Sequence, residues 1–108
     1  MINGHKHFVP TEMCASVVWY RPDLYQKLGL TVPKTWEELL ANAAKAKGAG
    51  MAGFMLANQK KWPSQFMWSA ILVNKHGLET YDAVIANKIA WTDPRIVDTT
   101  DMMKKLAG

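Results

Sequence analysis

Cysteine is almost absent from this chain. The single Cys14 among 108 residues excludes an internal disulfide and a multi-cysteine zinc site and leaves the redox compartment open. Its neighbours in Cys14-Ala15-Ser16-Val17-Val18 are apolar and offer no base to generate a thiolate, so a packed thiol fits it better than a nucleophile. Long hydrophobic runs are missing too. None approaches the roughly 20 residues of a membrane-crossing helix, and Met1-Ile2-Asn3-Gly4-His5 lacks the charged-then-apolar layout of an export signal. No glycine loop of the phosphate-cradling kind, no Ser/His/Asp arrangement and no repeat or low-complexity stretch occurs, so an enzyme reading has no residues to rest on.

What is present is a basic, apolar-rich chain. Lys and Arg number 13 against 9 Asp and Glu, and hydrophobic residues make up 49%, as in a folded domain rather than a disordered tail. The longest basic runs are the pairs Lys60-Lys61 and Lys104-Lys105, which form no stripe of the kind that tracks a nucleic acid. Five Trp and seven Met are a heavy apolar load for so short a chain, which suggests that part of it serves a partner surface.

Periodicity and capping signals divide the chain into elements. Lys6 to Pro10 and Ala15 to Tyr20 are β-branched or aromatic and are expected to be extended, as is the short apolar run Met51 to Leu56. A short helix is expected from Pro22 to Leu28, opened by Arg21-Pro22-Asp23 and ended by Gly29. Thr35-Trp36-Glu37-Glu38 is a capping box. The Thr35 hydroxyl would accept from the Glu38 amide while the Glu38 carboxylate reaches back to the Thr35 amide. Behind it Trp36, Leu39, Leu40, Ala43 and Ala46 keep helical spacing until Gly48 and Gly50. Pro63 opens a third helix running to about His76, Tyr81 to Ala86 gives a weaker one, and Thr92-Asp93-Pro94 starts the last. Helix, glycine turn and strand in succession make an α/β unit, in which loops at strand ends are the usual ligand sites.

Most candidate chemistry yields to a structural role. His5 and His7 share a face if extended, but no third ligand at zinc spacing accompanies them. Glu37 and Glu38 point some 100° apart on a helix, and Asp23 and Asp93 sit beside proline where a carboxylate stabilises a helix start. Trp62 stands apart. It follows the polar loop Asn58 to Lys61 at the mouth of a helix, where its indole could stack on a sugar ring beside Asn58, Gln59, Lys61 and Gln65, or simply pack. Trp19, Trp36, Trp68 and Trp91 fit the core.

Gly4-His5-Lys6-His7-Phe8-Val9-Pro10, Val18-Trp19-Tyr20-Arg21-Pro22-Asp23-Leu24-Tyr25-Gln26-Lys27-Leu28-Gly29-Leu30, Pro33-Lys34-Thr35-Trp36-Glu37-Glu38-Leu39-Leu40, the Trp62 helix and Lys88-Ile89-Ala90-Trp91-Thr92-Asp93-Pro94 come in register. In order and spacing they resemble the middle of family 1 bacterial extracellular solute-binding proteins, the maltose-binding type. The resemblance implies an α/β chain: a mostly helical fragment of one lobe of a type II periplasmic-binding-protein fold with two or three short strands, residues 1–108 forming a single partial domain. It implies a receptor that closes two lobes over a sugar or related polar solute and hands it to ABC permease subunits, periplasmic or lipid-anchored outside the cell, with no enzymatic activity and no cofactor. Residues implied to face the solute are Glu12, Met13, Cys14 and Trp62, with Gln65 one turn on. Glu12-Met13-Cys14 and Arg21-Pro22 depart from the family's usual residues, which leaves the solute open. Uncovered strand edges would favour self-association as a homodimer or domain swap. Two other classes stand beside this one: a small helical protein-interaction module and a basic nucleic-acid-binding module.

Overall fold

The computed structural model describes residues 4, 5, 9, 11, 12 and 15–107. Five helices follow one another: α1 (Pro22–Leu28), α2 (Trp36–Gly48), α3 (Ser64–His76), α4 (Leu78–Ile85) and α5 (Pro94–Ala107). Each boundary has a local cause. Pro22 opens α1, and Gly29 closes it in the left-handed region (φ 59) that a residue without a Cβ adopts freely. The Thr35 hydroxyl accepts from the Glu38 amide at 3.2 Å and caps α2. The Glu38 carboxylate accepts from the Lys34 amide at 2.6 Å instead of the Thr35 amide, so the expected box closes one residue earlier. At α5 the cap is Asp93, whose Oδ1 accepts from the Arg95 amide at 3.0 Å.

Two expectations need correction. Helix α4 begins at Leu78, three residues ahead of the expected start, because Gly77 (φ 84, ψ 161) turns the chain sharply out of α3 and lets the next helix begin at once. The Thr80 hydroxyl then donates to the His76 carbonyl at 2.7 Å and satisfies one of α3's terminal acceptors. The second concerns strands. Among the described residues no β-strand forms, and 15–20 and 51–56 are neither helical nor paired. A strand is completed by a neighbour's hydrogen bonds, and among the described residues no backbone hydrogen bond pairs either segment with another extended one. Most of the first expected strand, Lys6 to Pro10, lies outside the described residues.

The core sits where α3 packs against α4 and α5, with α2 touching α5. Leu72 and Thr99 are fully buried, joined by Ile71, Ile96, Leu106, Thr80 and, on α2, Ala43. The Thr99 hydroxyl is satisfied by the Arg95 carbonyl at 2.7 Å. Trp68 donates from Nε1 to the Thr100 hydroxyl at 3.1 Å and lies 5.9 Å, centroid to centroid, from Trp91. Trp19 and Trp91 nonetheless do not belong to the core: they are 88% and 69% exposed. The accessible surface of 8879 Å² exceeds the about 6,000 Å² expected of a compact chain of this mass.

Candidate functional site

Loop 57–63 delivers Trp62 to the start of α3, and the loop is internally braced. The Lys61 amide donates to the Asn58 carbonyl at 2.9 Å and the Trp62 amide to the Lys60 carbonyl at 2.8 Å. Asn58 Oδ1 accepts from the Ser64 amide at 3.2 Å, and the Ser64 hydroxyl donates to the Lys61 carbonyl at 2.6 Å. Lys61 is held at φ 65, a conformation uncommon for a residue with a Cβ. These bonds fix the backbone on both sides of Trp62.

The indole itself is 59% exposed and meets Phe66 edge-on, with centroids 5.6 Å apart and planes at 80°. Trp62 and Phe66 are four residues apart and therefore stack on one side of the helical turn. Edge-to-face packing steadies the indole while leaving a ring face available. Gln65 is exposed, and its amide donates to the Trp62 carbonyl at 3.2 Å. Glu12 is exposed, and no hydrogen bond or ion pair among the described residues joins it to Trp62 or Gln65. Met13 and Cys14 lie outside the described residues, as does His7 of the histidine pair. Asn58, read as a hydroxyl-binding amide, instead spends its side-chain oxygen on the α3 amide. Phe66 is the aromatic partner that sequence reasoning missed; its i, i+4 spacing from Trp62 was the available signal.

Phe66 also lines a broad concavity. A groove of about 530 Å³ runs between the 16–21 segment, α1, α2, the 51–56 segment and the flank of α3. Its wall is mainly apolar, including Val18, Leu39, Phe54 and Met67, with Tyr20 and Tyr25 in tilted contact at 5.0 Å. Trp62 is not part of that wall.

Electrostatics concentrate at the opposite end of α3. Asp98 on α5 receives Lys75 Nζ at 2.9 Å on Oδ1 and His76 Nε2 at 2.8 Å on Oδ2. Lys75, then His76, hold the Asp98 carboxyl below its ordinary range. The Arg95 guanidinium grips Asp93 with two contacts of 2.8 Å and draws its carboxyl down to about 2. The Asp98 pairs tie α3 to α5, whereas the Arg95–Asp93 pair lies at the start of α5. Among the described residues no group of three or more His, Cys, Asp or Glu is placed to hold a metal ion.

Comparison with known proteins decides the family. The sequence profile of the bacterial extracellular solute-binding proteins matches residues 1–108. The chain belongs to that family. An ABC transporter extracellular-binding protein of Pyrococcus horikoshii is 31% identical over 99 residues, covering 89% of this chain and 22% of that protein. The alpha-glucosides-binding periplasmic protein AglE of Rhizobium meliloti is 32% identical over 85 residues, 75% of this chain and 19% of its own. The multiple sugar-binding protein of Streptococcus mutans is 27% identical over 105 residues, 96% of this chain and 24% of its own. The chain thus spans about a fifth to a quarter of the length of these relatives. No solved structure matches it significantly. By their descriptions the family and these relatives are binding proteins, not enzymes, and the Pyrococcus protein is that of an ABC transporter.

Proposed function

We propose that this chain forms part of one lobe of an extracytoplasmic receptor that binds a sugar or related polar solute in an inter-lobe cleft and delivers it to ABC permease subunits. Trp62 is the stacking platform of this lobe, Gln65 supplies a hydrogen-bonding amide beside it, and Glu12, Met13 and Cys14 complete the set of residues proposed to face the solute. The observation that carries the reading is the solvent-facing Trp62 indole, braced by Phe66 at the head of α3 in a chain of this family. A flat aromatic face with polar groups at its rim suits the C–H face of a pyranose. The names of AglE and the multiple sugar-binding protein support a carbohydrate as the ligand class. The receptor works outside the cytoplasm, in the periplasm or held at the outer surface by a lipid.

The test is a sugar titration followed at the Trp62 indole NH in a two-dimensional NMR spectrum, which reads contacts too weak for fluorescence. A Trp62 resonance that moves saturably with a disaccharide, and is lost in Trp62→Ala, is the expected result. Shifts confined to other tryptophans would remove Trp62 from the site. The uncovered apolar groove also supports pairing of two copies of the chain, strand to strand or by domain swap. Sedimentation at rising concentration checks it, a monomer throughout being the contrary result.

A further inference from the structure

The charge around Trp62 points to the class of solute, an inference that rests on the stacking role proposed for that residue. From residue 39 to residue 78 the chain contains no Asp or Glu, yet Lys60 and Lys61 stand immediately before Trp62. Arg21, Lys75, Arg95 and Lys104 are paired with Asp23, Asp98, Asp93 and Asp101, whereas the side-chain amines of Lys27, Lys34, Lys47, Lys88 and Lys105, like those of Lys60 and Lys61, meet no carboxylate among the described residues, and of these only Lys60 and Lys61 adjoin Trp62 in the chain. Among the described residues no ion pair or hydrogen bond engages the side-chain amine of Lys60 or Lys61. Glu12 makes no contact with this loop.

We infer that the solute stacking on Trp62 carries an anionic group, a carboxylate or phosphate on a sugar, met by Lys60 and Lys61. The helix end is not the anion receptor here, because the Ser64 amide is already taken by Asn58 Oδ1. What remains is two ammonium groups on a loop braced by backbone hydrogen bonds, beside an aromatic face. Ammonium groups make charge-assisted hydrogen bonds to carboxylate or phosphate oxygens that a neutral hydroxyl cannot match. Selection for acidic over neutral sugars follows directly.

The experiment titrates the 108-residue chain with glucose, glucuronate and glucose 6-phosphate at fixed ionic strength and follows the Trp62 indole NH. One or both anionic sugars are expected to bind about two- to fivefold more tightly than glucose, the range of an exposed ion pair. Lys60→Gln/Lys61→Gln removes that preference, Lys60→Arg/Lys61→Arg keeps it, and Lys104→Gln/Lys105→Gln on α5 leaves it unchanged. Equal response to all three sugars overturns the inference and leaves the stacking role standing. Preference that survives Lys60→Gln/Lys61→Gln but falls with Lys104→Gln/Lys105→Gln also overturns it, since general positive charge then accounts for the effect. A silent Trp62 with all three sugars sinks both the stacking role and the inference.

Discussion

Residues 64–107 and residues 15–56 both carry apolar stretches and helix caps, yet among the described residues only the first set encloses fully buried side chains. In the former, α3, α4 and α5 bury Leu72 and Thr99 completely, and hydroxyls, the Trp68 indole and two carboxylates bridge the helices or cap them. In the latter, α1 and α2 flank an open groove, and Val17, Val18, Trp19 and Met55 face solvent. Helices complete their backbone hydrogen bonds within themselves, so a helical trio closes from one stretch of chain. The expected strands need neighbours at 4.7–4.9 Å spacing and stay unmade without them. Stability therefore resides in the C-terminal body, and substitutions test that division in order of size.

Leu72→Ala is expected to have the largest effect, about 2–5 kcal/mol, because a fully buried leucine is removed between α3 and its partners. Met55, 83% exposed, gives the counterpart: Met55→Ala changes stability by less than about 0.5 kcal/mol. Urea unfolding followed by far-UV circular dichroism measures both. Comparable losses at the two sites would break the division. At Gly53 the N-terminal region is tightly packed, since a Cβ there would stand 2.5 Å from the Ala43 carbonyl oxygen of α2. Gly53→Ala is expected to cost about 1–3 kcal/mol by forcing the 51–56 segment off α2. Gly48→Ala meets nothing within 4 Å and should leave stability unchanged or raise it by at most about 1 kcal/mol. The same unfolding curves separate the pair.

Thr35→Ala removes the α2 cap and is expected to cost about 1 kcal/mol, read as a lower denaturation midpoint with unchanged slope. That cap was legible because its signal is local: Thr35 and Glu38 need only each other, as do Pro22 with Gly29 and Asp93 with Pro94. Burial was much less legible. Trp91 has the composition of a core residue but stacks from outside on Trp68, and Thr99 is fully buried although its hydroxyl argued for solvent, because that hydroxyl bonds the Arg95 carbonyl within its own helix. At the candidate site the position of Trp62 at the head of α3 could be read from Pro63 and the preceding polar loop. The edge-on support of Phe66 had only its i, i+4 spacing as a signal, and the left-handed Lys61 had none, because it follows from the loop's hydrogen bonds.

The smallest effect is expected from acid. Asp93 and Asp98 have folded-state carboxyls held below their ordinary range, Asp93 by the Arg95 guanidinium and Asp98 by Lys75 and then His76. A depressed carboxyl contributes stability that is fully present above its unfolded pKa of about 3.9 and is lost as pH falls through the folded value, which for Asp93 is about 2. The melting temperature should therefore hold between neutrality and pH 5 as far as these two groups are concerned, then fall between pH 4 and 2. Both carboxylates are partly open to solvent, so the fall is modest. Asp98→Asn, which leaves Lys75 and His76 without an anion, lowers the plateau and flattens the acid limb, whereas Asp101→Asn on the outer face of α5 alters neither. Identical acid limbs in the wild-type chain and Asp98→Asn would show that the clamp between α3 and α5 is apolar alone.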